Sequence, residues 1–367
     1  MFKAEELFQN ITDRNHPDET VLTIIQGKGT LPREQAGRNI HYDDASLSNY
    51  KKVEQGDFII HLRSFEGGLE MANEAGIVSP AYTILRCKRP HSSLFYDAYF
   101  HTDEFINHNL SKSVEGIRDG RQISYEAFKW LGIPYCEPTE QEKISTLFSA
   151  FNERIAKQRD LVESLKKYKR GVVKAIMTKQ IRFVDKNGKP YPEWSACTLQ
   201  DAVDFLDGQR KPLESADRAK RQGKYPYYGA SGIIDSIDDY IFDEPLILLG
   251  EDGANIINRS SPLCFIATGK YWVNNHAHVM RPHKGQNIRF LRELLESLDY
   301  TRYNTGTAQP KLNQEKCRTI PLSLPIYEEQ CHIADFLAAL EHKCAQENEE
   351  LEGTLQTKNA LMQQLFI

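Results

Sequence analysis

The sequence predicts an α+β chain built twice over: two tandem globular domains in a pseudo-two-fold arrangement, separated by two long helices packed as an antiparallel coiled coil. Three observations carry this. The same elements recur in the same order in the two halves of the chain, too far apart for a solenoid repeat. Each half ends in a long run whose apolar residues step by fours and threes, which asks for a partner helix. The two runs also differ in sign: residues 141–182 hold eleven Lys/Arg against four Asp/Glu, residues 328–367 two against eight. Helices of opposite charge in one chain are most simply satisfied by each other.

Composition sets the frame. With 367 residues, 26% charged and 40% hydrophobic, the chain is an ordinary globular protein of two or three domains. No run of 18 apolar residues appears, and Met1-Phe2-Lys3-Ala4-Glu5-Glu6 has acids where a leader would be basic. A cytoplasmic location is therefore expected. Seven cysteines are scattered singly, which fits reduced thiols better than a disulfide framework or zinc cluster. The net charge of −5 does not announce a nucleic-acid binder, so local distribution has to decide.

Taken in order, the first globular domain is expected over 1–132, with a strand at Phe58–Leu62 running into the turn Gly67-Gly68 and a helix over Phe100–Leu110. Ile133-Pro134-Tyr135-Cys136-Glu137-Pro138 and Glu140-Gln141 then lead into the first long helix, in a segment spanning 133–185. Its stripe is Ile144, Phe148, Phe151, Ile155, Val162 and Leu165, broken by Gln158 and extended by Leu161, Tyr168, Val172 and Ile176. The turn-rich stretch Asp185–Pro192 marks the start of the second domain, 186–319. There Pro245–Leu249 reads as a strand before Gly250-Glu251-Asp252-Gly253, and Ile288–Leu298 as a helix. Ile320-Pro321-Leu322-Ser323-Leu324-Pro325 with Glu329-Gln330 repeats the helix lead-in, and a second long helix fills 320–367. Val78–Arg86 echoes Val273–Arg281 upstream, and Gly116 falls opposite Gly306.

The tools of an enzyme are missing. There is no G-x-x-x-x-G-K-[ST] phosphate loop, no G-x-G-x-x-G opening a helix, and no Asn-Pro-Pro-Tyr-type tetrapeptide or methyl-donor loop. Asp335 with Glu341-His342-Lys343 lies inside the helical pattern, where Glu341 and Lys343 point to different faces. His276 and His278 would share one side of a strand, with Glu251 and Asp252 the nearest acids, but no third ligand is evident. Neither catalysis nor a resident metal is expected.

What remains is polar, aromatic and basic. The second domain carries Gly208-Gln209-Arg210-Lys211, then Arg218, Lys220, Arg221 and Lys224, then Tyr225-Pro226-Tyr227-Tyr228-Gly229-Ala230-Ser231-Gly232. Basic side chains neutralise phosphates, and small polar turns let donors approach base edges. Asn274-Asn275-His276-Ala277-His278 adds amides suited to adenine and imidazoles suited to guanine or phosphate. Thr305–Lys311 is a third polar loop, and Leu62–Gly68 and Ile77–Tyr82 hold the comparable places in the first domain.

Three of these strings, Tyr225–Gly232, Trp272–His278 and Gly306–Asn313, resemble the target-recognition domains of type I restriction–modification specificity subunits. The paired Ile-Pro…Pro…Glu-Gln stretches leading into long helices resemble that family's conserved spacer regions, and Gly56-Asp57-Phe58 with Leu62–Gly68 resembles another variant of the recognition domain. The resemblance implies two recognition domains, 1–132 and 186–319, each reading one half of a split sequence in double-stranded DNA, with the helices of 133–185 and 320–367 as a ruler. It implies no catalysis and no cofactor on this chain. Methyl donor, ATP and magnesium would belong to partner subunits, namely two methyltransferase subunits and restriction/translocase subunits. Two alternatives are a specificity subunit of a fused methyltransferase–nuclease and a helical scaffold without a DNA role. The residues expected at the DNA are Arg63, Ser64, Ser79 and Tyr82 in the first domain. In the second they are Gln209, Lys211, Tyr227, Tyr228, Ser231, Asn274, Asn275, His276, His278 and Lys311. Tyr82 and Tyr228 also suit a core, and Asn274 or Asn275 a turn cap.

Overall fold

The computed structural model describes residues 1–36, 44–116, 122–306 and 309–366. The chain forms two compact units, Met1–Leu161 with Glu347–Ile367, and Val162–Gln346. In the first unit, β1 (Phe2–Lys3), the single turn α1 (Ala4–Leu7) and β2 (Phe8–Ile11) precede the hairpin β3 (Leu22–Ile25) and β4 (Gly29–Pro32). Then come β5 (Lys51–Val53), β6 (Phe58–Ile60), α2 (Ser64–Gly67), β7 (Glu70–Met71), β8 (Gly76–Val78), β9 (Thr83–Cys87) and α3 (Ser93–Phe100). β10 (Val114–Glu115), β11 (Gln122–Ile123), α4 (Tyr125–Phe128) and β12 (Gly132–Ile133) complete it, and the long helix α5 (Pro138–Met177) follows. The central antiparallel sheet has the order β2-β9-β6-β7. Its core is aromatic: Phe8 meets Tyr96 at 5.0 Å between centroids, and Phe58 meets Phe100 at 4.9 Å, both edge to face.

The second unit begins with β13 (Ser195–Thr198), β14 (Val203–Phe205), α6 (Ser215–Lys220), β15 (Gln222–Gly229), β16 (Gly232–Ile237) and β17 (Phe242–Asp243). β18 (Leu246–Gly250), α7 (Asn255–Asn258), β19 (Cys264–Ala267), β20 (Lys270–Val273), β21 (Ala277–Pro282) and α8 (Ile288–Ser297) follow. α9 (Gln314–Arg318), β22 (Pro321–Leu324) and α10 (Tyr327–Leu365) end the chain. The central sheet here has the order β14-β21-β18-β19, again first, fourth, second, third. A second four-stranded sheet, β16-β15-β20-β17, lies beside it.

The self-similarity seen in the sequence is therefore a duplicated topology, and its signature residues have identical duties. Gln141 accepts the Ser92 N–H ahead of α3 at 2.9 Å and donates to the Cys136 carbonyl at 2.8 Å. Gln330 accepts the Asn287 N–H ahead of α8 at 2.8 Å and donates to the Pro325 carbonyl at 2.9 Å. Each buried amide thus ties the start of a long helix to the start of a short one. Arg86 on β9 bonds Asp57 before β6 at 2.8 Å, as Arg281 on β21 bonds Glu244 before β18 at 3.0 Å. β1 pairs with β12 as β13 pairs with β22, closing each domain at its neck.

The long helices pack together within each unit. In the first, Phe148 stacks on Phe366, Arg154 reaches Glu350 at 2.8 Å, and Gln158 donates to Glu347 at 2.7 Å. In the second, Lys169 meets Glu341 at 3.2 Å. Rising numbers on α5 meet falling numbers on α10, so the pair is antiparallel. Two expectations shift. The seam runs through Ile155, Gln158, Val162, Leu165, Lys169, Val172 and Ile176, steps of three and four, which leaves Leu161 and Tyr168 one position off it, 42% and 58% exposed. The acids of α10 are also shared: Arg289 and Arg292 of α8 take Asp335 (2.6 Å) and Glu341 (3.2 Å). The helix expected over Phe100–Leu110 is another correction. α3 ends at Phe100, and Glu104–Asn109 and Leu110–Ser113 form separate π and 3-10 turns. Thr102 breaks the run, its hydroxyl donating to the Tyr99 carbonyl and accepting the Phe105 N–H. No helix is long and apolar enough to cross a membrane among the described residues.

Candidate nucleic-acid interface

At one end of the second unit the segments after β14, β18 and β20 converge with the β15–β16 turn and with the strip before α9. Backbone bonds bind them: Glu251 N–H to the His276 carbonyl (2.8 Å), Gly253 N–H to the Pro310 carbonyl (3.0 Å), and Leu312 N–H to the Glu251 carbonyl (2.7 Å). The β15–β16 turn comes in over Gly250, where a Cβ would stand 2.7 Å from the Ala230 carbonyl oxygen. The polar loops quoted from the sequence are thus neighbours, although they are scattered over a hundred residues of chain.

Beneath them lies a closed ion cluster. His278 is fully buried, with Nδ1 2.7 Å from Asp207 Oδ2 and Nε2 2.9 Å from the Leu312 carbonyl. Both partners are acceptors, so both ring nitrogens must carry protons and the ring is an imidazolium. Burial opposes that charge, but the Asp207 bond and neighbouring Cys317 outweigh it, and the pKa is pushed up to about 10. Arg210 donates to Glu251 at 2.7 Å, to the Ala277 carbonyl at 2.8 Å and to the Asp207 carbonyl at 3.0 Å. Asp207, Glu251 and His278 come within 4.8 Å of one another, the spacing of a metal site. Their charges are already matched by Arg210 and the imidazolium, and Lys311 adds a contact to Glu251 at 3.3 Å. The donor set therefore fits a structural ion cluster and not a metal centre.

The cluster sorts the candidate residues. Gln209, Lys211, Ser231, Asn275, His276 and Lys311 are exposed around its rim. His276 precedes β21 instead of sharing it with His278, because the Asn274 side chain accepts the His276 N–H and turns the chain, and its ring meets Asp252 at 2.7 Å. Asn274 and His278 are buried in internal bonds. Tyr227 is fully buried, its hydroxyl accepting the Leu213 N–H at 2.9 Å. Tyr228 is half-buried, stacked on Phe265. Of the basic run, Arg218 and Arg221 are matched by Asp235 and Asp238 (3.0 and 2.9 Å), while Lys220, 3.8 Å from Asp217, and Lys224 are exposed. Thr307 and Ala308 of the third polar loop lie outside the described residues.

Sequence reasoning missed two features. Arg210 looked like a phosphate ligand but is the tie holding three loops together. A bulge in the β15–β16 hairpin leaves Ile234 without a partner on β15 and turns Ile233 and Ile234 outward, 59% and 51% exposed beside Ser231. Two adjacent isoleucines after Gly232 (φ +119°) were the only signal of it.

In the first unit, the loops after β6 and β8 approach each other, the His61 and Tyr82 rings lying 6.5 Å apart. Arg63 is exposed. Ser64 is buried, its hydroxyl accepting the His61 N–H at 2.9 Å. Ser79 is half-buried and accepts the Ala81 N–H, and Tyr82 packs on Ile59 and Ile84 with its carbonyl held by Lys51.

The comparisons with known proteins agree with this architecture. The Type I restriction modification DNA specificity domain family matches residues 191–355. A type I restriction enzyme specificity subunit of Haemophilus influenzae is 32% identical over 148 residues, 40% of this chain and 37% of that protein. The EcoprrI specificity subunit of Escherichia coli is 26% identical over 141 residues, 38% of this chain and 34% of that one. These matches span little more than a third of the curated relatives' own length. In fold, the crystal structure of the type I restriction–modification S subunit from M. genitalium superposes with a TM-score of 0.59 at 15% identity, over 100% of this chain and 95% of that one. Residues 191–355 thus match the Type I restriction modification DNA specificity domain, and the chain as a whole shares the fold of the type I restriction–modification S subunit from M. genitalium.

Proposed function

We propose that the chain supplies DNA-sequence specificity to a type I restriction–modification complex, with each unit reading one half of a bipartite target. The observation that carries this is the convergence of exposed polar and cationic loops at the ends of corresponding strands in both copies of a duplicated fold: Gln209, Lys211, Ser231, Asn275, His276 and Lys311 in one, Arg63 with the Ser79–Tyr82 loop in the other. Exposed amides and imidazoles can read base edges, and lysines and arginines bind phosphate. α5 is a helix of 40 residues, about 60 Å at 1.5 Å per residue, a length that suits a ruler for the unread gap. Catalysis, methyl donor, ATP and magnesium are then the business of two methyltransferase subunits and the restriction/translocase subunits. The expected location is the cytoplasm.

Mapping methylated adenines in the host genome with and without this gene tests the reading. One split motif is expected to lose its methylation when the gene is removed; an unchanged methylation pattern would overturn the proposal.

A further inference from the structure

We infer that the tip of the β3–β4 hairpin, Gln26-Gly27-Lys28, is a base-reading element of the first unit, with Gln26 directed at an adenine edge and Lys28 at a guanine edge or its neighbouring phosphate. The inference rests on the DNA-reading role proposed above and names residues that no resemblance pointed to.

The duplicated topology places the hairpin. β3–β4 lies between the first and second strands of its central sheet, where β15–β16 lies in the second unit. Val21, at the foot of β3, forms a parallel bridge with Ile77 of β8, as Tyr227 and Tyr228 of β15 pair in parallel with Trp272 and Val273 of β20. The loop after β8 therefore matches Asn274–His276, and the β3–β4 turn matches Ala230-Ser231. Each turn also leans on the segment after the second sheet strand. The β15–β16 turn crosses Gly250; in the first unit Gln26 lies against Gly67 of α2, where a Cβ would stand 1.8 Å from its amide nitrogen.

The tip is built as a rigid platform. Glu70, fully buried, accepts the N–H groups of Gly27 at 2.6 Å and Gly29 at 2.9 Å, both glycines at positive φ (+73° and +78°). Asn73 donates to the carbonyls of Lys28 at 2.8 Å and Thr30 at 2.9 Å. His101 approaches Glu70 from below at 3.4 Å. A buried carboxylate is a costly way to hold an exposed turn unless its shape matters. The backbone is thus gripped from inside, while the side chains of Gln26 and Lys28 are exposed and make no hydrogen bond or ion pair among the described residues. Preorganised backbone with unengaged tips is what readout requires, since Gln pairs bidentately with adenine N6/N7 and Lys with guanine O6/N7.

The experiment uses the full chain expressed with its methyltransferase partners, and methylated adenines are mapped across genomic DNA. Variants are Gln26→Ala, Lys28→Ala, Lys28→Arg and Gly67→Ala, with Asn275→Ala reporting on the second unit. Gln26→Ala is expected to relax one position of one half-site by about tenfold or more, and Gly67→Ala to do the same by displacing the amide. Lys28→Ala either relaxes a position of that half-site, assigning the lysine to a base, or weakens methylation uniformly with a shallower salt dependence and rescue by Lys28→Arg, assigning it to phosphate. The other half-site and the gap stay unchanged. Exposed side chains cost little stability, so matching thermal unfolding midpoints accompany these effects. If Asn275→Ala alters one half while the Gln26 and Lys28 variants leave both halves intact, this inference falls and the DNA-reading role stands. If the wild-type chain directs no split motif, both fall.

Discussion

Replacing His278 with leucine should cost about 3 kcal/mol or more of folding stability near pH 6.5. The ring lies between Asp207 and the Leu312 carbonyl, and both lose a charged donor when it goes. Breaking a buried ion pair from one side typically costs about 3–5 kcal/mol. Asp207 keeps the Val279 N–H at 2.8 Å, the Gln314 amide at 2.9 Å and Arg210 at 3.5 Å, which places the loss toward the lower end. The pH dependence is the sharper test. The folded pKa stands at about 10, above the ordinary 6.5, so the native state holds a proton that the unfolded chain releases. The stabilisation is complete below about pH 6.5 and is lost progressively as pH rises toward the folded value. Urea unfolding of wild type and His278→Leu at pH 6.5, 8 and 9.5 should show their difference shrinking steadily. On the acid side, Asp207 is held below the ordinary carboxylate value: burial raises it, and the His278 hydrogen bond and charge overcome that. Its share is lost as pH falls through the depressed value. A wild-type minus variant difference that stays constant from pH 6.5 to 9.5 would refute the charged imidazolium.

Gln330→Ala strands the Asn287 N–H and the Pro325 carbonyl, and Gln141→Ala strands their counterparts, so each should lower stability by about 2–3 kcal/mol in denaturant titrations. A near-zero cost for either would remove the claim that the two glutamines do the same job. Tyr227→Phe leaves the Leu213 N–H without its acceptor and should cost about 1 kcal/mol while sequence discrimination is unchanged, read by adenine mapping; altered discrimination would return Tyr227 to the DNA. A heptad inserted beside Gln158 moves the helix seam by two turns, about 10 Å, and is expected to change the gap between half-sites or abolish binding without changing either half. An unchanged gap would remove the ruler role from α5.

Several parts of this fold could be read from single residues because they answer to local rules. The strands at Phe58–Ile60 and Leu246–Gly250 are short apolar runs before glycine, and α8 follows an asparagine that caps it through the Arg289 and Phe290 N–H groups. Local rules failed where a neighbour distant in sequence took over. Leu161 and Tyr168 fit an apolar stripe better than Lys169 does, and only the position of α10 selects Val162 and Lys169 for the seam, the lysine pairing with Glu341. Phe100–Leu110 has helical composition, but Thr102 offers its hydroxyl to the backbone and ends the turn.

At the candidate interface the same division appears in the chemistry. Sequence by itself determined the duplication, the opposed charge of the long helices, the lack of catalytic motifs and the residue types gathered in the polar loops, because composition and spacing are one-dimensional properties. Only the tertiary structure decided which of those residues face outward. His276 and His278 are two positions apart, yet one lies at the rim and the other is buried between Asp207 and Leu312. Arg210 and Lys211 are adjacent, yet the first binds Glu251 and the Ala277 carbonyl and the second is free at the surface. Burial is settled by packing between segments remote along the chain, and a polar side chain shows no sign in its own sequence of whether its partner will be a carboxylate inside the protein or a base outside it.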